Sequence, residues 1–191
     1  ARGTARVASG TLFNGDSLSG GSFAFTDKNV GLGNKTVTVA GVTVGDGLNN
    51  ANYNISYAAN TTSTITPKAL TVSGTMVANK TYDGTTTATL TGGSLLGVVG
   101  TEDVTLNQAG SFVSKNVGSA IAVTAADSLG GSANLDNYTL VQPTGLSADI
   151  GQASLTLSTT NVTKVYDGNL SAAGTVVVAS GTVFSGDSLS G

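Results

Sequence analysis

Cysteine, histidine and tryptophan are absent from this 191-residue chain, which has two prolines and one methionine. Without cysteine, no disulfide framework or thiolate metal site can form. Without histidine, the commonest general base and zinc ligand is missing, and so is the Ser–His pairing of nucleophilic catalysis. The chain therefore reads as a non-enzyme with no cofactor. Charge is scarce too: Asp, Glu, Lys and Arg make up 10% of residues, where a globular chain averages roughly a quarter. Eight basic residues against eleven acidic ones cannot neutralise a run of phosphates, so no nucleic-acid partner is expected. No stretch approaches the roughly 18 apolar residues of a membrane helix, so membrane insertion is not expected either. Ala1 stands first with no charged-then-apolar leader behind it, and the expectation is a segment of a longer precursor.

What fills the chain is glycine, 27 residues of it, with Ser, Thr and Asn at about a third of all positions. A hydrophobic content of 39% at a net charge of −3 favours collapse over disorder. The sequence also repeats itself. Lys80-Thr-Tyr82-Asp83-Gly84 returns as Lys164-Val-Tyr166-Asp167-Gly168, and Lys28-Asn-Val-Gly31 returns as Lys115-Asn-Val-Gly118. Ala69-Leu-Thr-Val-Ser73 returns as Ser154-Leu-Thr-Leu-Ser158, and Asn52-Tyr53 as Asn137-Tyr138. The offsets run from about 84 to 87 residues, a module-sized period well above the roughly 20–50 residues of solenoids. A superperiod lies on top: residues 1–20 and 172–191 are identical at about 15 of 20 positions.

The chain thus divides into the back part of a module (1–67), a complete module (68–152) and the front part of a third (153–191). Short junctions around Pro67 and Gly151, with φ fixed at Pro67 and Thr66 pushed toward extended geometry, predict modules held stiffly in line. Such a pattern is expected of a piece of a tandem array.

Helix signals are weak, because Thr, Val, Ser, Asn and Gly are poor helix formers. Alternation with period two, as in Lys35-Thr-Val-Thr-Val39, predicts strands. In the middle module they are expected near 69–75, 86–91, 103–107, 110–114, 119–124, 137–142 and 145–150. About seven short strands separated by Asp-Gly, Gly-Gly and Pro/Gly turns predict an all-β fold of tandem small antiparallel, immunoglobulin-like β-sandwiches. A β-grasp module is the runner-up; its helix could sit only near 125–135, where Gly130-Gly131 opposes it.

The few large side chains should anchor the core. Tyr53, Tyr82, Tyr138 and Tyr166 each recur at a repeat position and are expected inside. In Tyr82-Asp83-Gly84 and Tyr166-Asp167-Gly168, the ring ends a strand and Asp-Gly supplies the turn. A calcium reading would need Asp83, Asp136 and Asp149 to converge, since calcium takes six to eight oxygens. Gly15-Asp16-Ser17 and its copy Gly186-Asp187-Ser188 read as turns.

Taken in order, Lys-x-Tyr-Asp-Gly-Thr-Thr (80–86), Lys-Asn-Val-Gly, Asn-Tyr and Ile-Thr-Pro-Lys-Ala-Leu (65–70) resemble the YDG-type repeats of large bacterial exoproteins and adhesins related to filamentous haemagglutinin. At the next junction, Ile150-Gly-Gln-Ala153 replaces Ile-Thr-Pro-Lys. The resemblance implies structural or adhesive modules of a secreted protein at the bacterial cell surface, forming a stiff stalk, extracellular filament or biofilm fibre. It supplies no catalytic residues. The partners it implies are neighbouring modules of the same or identical chains, with a host or matrix ligand undefined. Two alternatives stay open: a filament subunit joined head to tail by strand complementation, and a glycan- or host-protein-binding module.

Overall fold

A computed structural model describes residues 3–48 and 50–190. The chain forms two compact units, residues 1–69 with 132–139, and residues 70–131 with 140–191. Both are built from strands, and no α-helix occurs among the described residues. The fold is all-β.

The first unit holds a three-stranded antiparallel meander of β1 (Ser17–Phe25), β2 (Gly31–Gly45) and β3 (Asn60–Ile65), in that order. Phe23 faces Val39 and Phe25 faces Val37 across the β1–β2 pair, so the alternating apolar positions stack on one face. Val42 and Val44 are buried there. Lys35 is buried as well, with its ammonium paired to Asp27. The register of β2 against β3 shifts between Gly31 and Lys35, a bulge directly after the Lys-Asn-Val-Gly motif. Residues 132–139 complete this unit with a single 3₁₀ turn, Leu135–Asn137. The Asn137 side chain accepts the Val30 N–H (2.8 Å) and donates to the Asn29 Oδ1 (2.9 Å). Two recurring asparagines thus satisfy each other and one backbone amide.

In the middle of the sequence the strands are shorter. They begin with β4 (Lys68–Ser73), β5 (Met76–Val77), β6 (Lys80–Thr81), β7 (Thr87–Ala88), β8 (Leu90–Thr91) and β9 (Ser94–Leu96). They continue with β10 (Thr105–Asn107), β11 (Gly110–Phe112), β12 (Gly118–Ala125), β13 (Ser128–Gly130), β14 (Tyr138–Val141) and β15 (Leu146–Gly151). The largest sheet has five strands in the order β6-β15-β12-β11-β7. Its core gathers Ala88, Leu90, Phe112, Val123, Ala125, Ala148 and Ile150, with Tyr82 packed at the margin. Leu70 and Ile150 are the side chains sealed most completely; burying each stabilises the fold by about 1.5–3 kcal/mol. β12 carries the same bulge as β2, between Gly118 and Ile121, again directly after Lys-Asn-Val-Gly. There Ala120 takes φ +49° and its N–H is held by Asp149 Oδ1 at 2.7 Å, which offsets part of the cost of that conformation. Finally β16 (Thr156–Thr159) and β17 (Val176–Ser180) pair antiparallel with each other, repeating the β4–β9 pair.

Each of the seven strands expected in the middle module has a counterpart within a few residues. Two features differ from the expectation. The β6–β15 pair is parallel rather than antiparallel. And 125–135 is neither helix nor plain loop, since Ser128–Gly130 pairs with Thr105–Asn107. A two-sheet, immunoglobulin-like layering is not shown by these pairings.

Replacing Ile150 with Ala should lower the stability of the second unit by about 2–5 kcal/mol in chemical denaturation, from lost burial plus the cavity left behind. Val165→Ala, at a position 88% exposed, should stay within about 0.5 kcal/mol of the parent.

Candidate functional site

The recurring Lys-x-Tyr-Asp-Gly segment builds a closed hydrogen-bonding loop around its own lysine. Lys80 leaves β6 with its ammonium over the Phe112 ring, Nζ 5.7 Å from the centroid. Its ammonium donates to Asp83 Oδ1 (2.7 Å), the Thr85 carbonyl (2.8 Å), the Thr85 hydroxyl (3.1 Å) and the Thr87 carbonyl (3.1 Å). Asp83 Oδ1 also accepts the Thr85 N–H and hydroxyl, both at 2.8 Å. The turn requires φ +75° at Gly84, a conformation glycine adopts without penalty. An ammonium has three protons to satisfy and no acceptor capacity, and this loop supplies a carboxylate plus two main-chain carbonyls. The Lys80 ammonium pulls the Asp83 carboxyl down to about 2, with the Thr85 N–H and hydroxyl acting in the same direction.

The second copy repeats the carboxylate and main-chain bonds, with Asn169 in place of Thr85. Lys164 Nζ donates to Asp167 Oδ1 (2.9 Å) and to the carbonyls of Asn169 (2.7 Å) and Ser171 (2.8 Å). Asp167 accepts the Asn169 N–H at 2.9 Å, and Gly168 repeats φ +75°. Lys164 holds the Asp167 carboxyl below its ordinary range, helped by the Asn169 amide. The clasp forms twice from local residues alone.

The tyrosines divide. Tyr138 is buried. Tyr82 packs on the core of the second unit, donates its N–H to Gly151 O (2.8 Å) and meets the Phe184 ring edge-on, 5.5 Å between centroids. Its hydroxyl donates to Asp187 Oδ2 at 2.8 Å, and that carboxylate pushes the phenol up. Tyr53 is half-buried; its hydroxyl donates to Asp16 and accepts the Phe13 N–H at 3.2 Å. Tyr166 departs from the expected core role: it is 94% exposed. Its clasp is intact, but β16 and β17 pair only with each other, and no counterpart of β11, β12 or β15 stands beside the ring among the described residues. The expectation that all aromatics are committed to the core fails also at Phe13, 68% exposed.

Two features went unread in the sequence. One is the lysine of the motif, whose fixed place three residues before Asp in both copies was the available signal. The other is the tyrosine that packs on the turn at each Gly-Asp-Ser. There Asp16 N–H bonds the Phe13 carbonyl and Asp187 N–H the Phe184 carbonyl, and each Phe/Asp pair receives a tyrosine. These are turns, as expected. For calcium, Asp83 is taken by Lys80 and Asp149 by the Ala120 amide. Among the described residues no group of three or more carboxylates could hold a metal.

The chemistry of the clasp is therefore self-contained: its charges are spent on the chain itself. Because the folded Asp83 carboxyl titrates near 2, below the unfolded value of roughly 3.9, its contribution is fully present above the unfolded value. It is lost as pH falls through about 2. A carboxyl-carbon NMR titration should place the Asp83 midpoint near 2 in the parent. Lys80→Met should move that midpoint toward the ordinary carboxylate range.

No curated protein and no solved structure matches the chain. A family model does, described as the YDG domain, over residues 1–63 and again over 66–145. The two matches cover most of the sequence. The chain belongs to the YDG domain family.

Proposed function

We propose that this chain is a run of structural modules from a secreted bacterial surface protein of the filamentous-haemagglutinin-related class, serving as a stiff adhesive stalk or extracellular fibre. The observation that carries the reading is the inward use of the recurring motif. Lys80 with Asp83 and Lys164 with Asp167 are saturated by hydrogen bonds within their own loops. A residue set repeated for catalysis or ligand capture would keep a group directed at the ligand. One repeated to hold strands in place would not.

Only Thr66 and Pro67 separate β3 from β4, and Pro67 fixes its own φ. The acid-poor, base-poor surface and the absence of histidine fit a protein whose output is shape. The extracellular, cell-surface setting follows from the resemblance carried by the motif order.

Small-angle scattering on chains of increasing repeat number tests the proposal. A stalk gives a constant cross-section and a maximum dimension that grows in proportion to repeat number. Growth with the square root of repeat number, as for a freely jointed string, would overturn it.

A further inference from the structure

Asn14 is the one asparagine in the sequence that is followed by glycine. Three aspartates share that setting, in Asp46-Gly47, Asp83-Gly84 and Asp167-Gly168. In each pair the glycine nitrogen can close a five-membered ring on the preceding side-chain carbonyl carbon, and glycine has no side chain to obstruct the approach. What separates the four is how the fold holds the first residue.

Each aspartate is tied down. Asp83 and Asp167 sit in their clasps and accept the N–H two residues on, from Thr85 and Asn169. Asp46 does likewise: its Oδ1 accepts the N–H groups of Leu48 (2.9 Å) and Asn50 (3.1 Å), and its Oδ2 that of Asn52 (3.1 Å). The Leu48 amide, Lys80 and Lys164 in turn hold the three carboxyls below their ordinary range. A carboxylate repels an incoming nitrogen and has no group ready to leave.

Asn14 differs in each respect. Its side chain is an uncharged amide, with ammonia to lose. It is exposed, as is Gly15. Among the described residues, neither the Asn14 side chain nor the Gly15 N–H makes a hydrogen bond. Gly15 holds φ +97°, and an added Cβ would meet nothing within 4 Å. This openness belongs to the turn itself. The middle module closes the same turn with the Glu102 N–H on the Val99 carbonyl (3.2 Å), as the Asp16 N–H bonds the Phe13 carbonyl (3.1 Å). There Gly100 stands in the place of Asn14; it is exposed, and a Cβ on it would also enter open space. Ser185, in the third copy of the turn, is exposed too.

We propose that Asn14 is a site of spontaneous covalent modification, through a succinimide closed with Gly15. The Gly15 nitrogen gives up its proton and bonds to Asn14 Cγ. The Cγ–Nδ2 bond then breaks, and the departing nitrogen takes a proton and leaves as ammonia. Water opens the ring at either carbonyl, giving aspartate or isoaspartate. One ammonia is released and one water consumed, with no oxidation or reduction. The product places a negative charge two residues from Asp16, the carboxylate that receives the Tyr53 hydroxyl. In its isoaspartyl form it also adds one backbone carbon to the turn that the Asp16–Phe13 bond closes. This chemistry does not depend on what the modules do.

Mass spectrometry of proteolytic peptides tests it, on the intact folded chain aged at mildly alkaline pH. The peptide holding Asn14 should convert to the acid, in aspartyl and isoaspartyl forms distinguished by fragmentation. Asp46, Asp83 and Asp167 should keep their ordinary linkage over the same interval. Ser185→Asn should create a second converting site at the matching turn, and Asn14→Ser should abolish the first. Conversion at Asn14 should stay within about tenfold of that in a free peptide of residues 10–20, because an open turn adds little to the barrier. A folded chain slower than that, an inert Ser185→Asn turn, or isoaspartate appearing first at an Asp-Gly pair would overturn the proposal. If the Ser185→Asn chain fails to fold, the comparison of parent chain with free peptide decides.

Discussion

One ammonium group ties the five-stranded sheet together. Lys80 stands on β6, at one edge, and its Nζ reaches the carbonyl of Thr87 on β7, at the other edge. The two margins of a sheet five strands wide therefore face each other across a single side chain, which requires the sheet to curl. The Asp83 carboxylate and Gly84 turn fix the loop between them, and the Phe112 ring presents its face to the ammonium. The carboxylate of this clasp is 46% exposed, and an ion pair so open to solvent contributes little by itself. Its effect is geometric: it delivers two edge strands at once, and thereby lets Ala88, Leu90 and Tyr82 reach the core.

The same constraint explains why one sequence motif has two fates. At 80–88 the clasp meets β11 and β15 and its tyrosine packs against their core. At 164–171 the clasp forms with the corresponding carboxylate and main-chain bonds, yet Tyr166 remains in solvent. Local chemistry is enough to shape the loop; burial of the ring needs the sheet. Conversely, β1-β2-β3 has the sheet centre with its bulge and register, and among the described residues no clasp stands beside it. Loop and sheet are two halves of one module.

Much of this was legible from the residues. Alternation and turn chemistry located the middle-module strands, because a half-buried strand imposes a period of two and Gly-rich turns separate the runs. The order of the repeated motifs predicted module boundaries near Pro67 and Gly151. The parallel β6–β15 pair was not legible, since two residues in register leave no periodic signal. Tyr166 misled, because its sequence is that of a core residue and its exposure depends on which strands stand beside it. The role of Lys80 was hidden for a different reason: turn lysines are ordinarily solvated, and only the carbonyls of Thr85 and Thr87, invisible in sequence, turn this one inward.

Amide hydrogen exchange at the two edges tests the clasp most directly. The Tyr82 N–H is bonded to Gly151 O at one margin, and the Phe112 N–H to Thr86 O at the other. In the parent chain both should exchange slowly, at the rate of the sheet centre. In Lys80→Met both should lose protection together while the amides shared by β12 and β15 keep theirs. Unchanged protection at either edge in that variant would contradict the account.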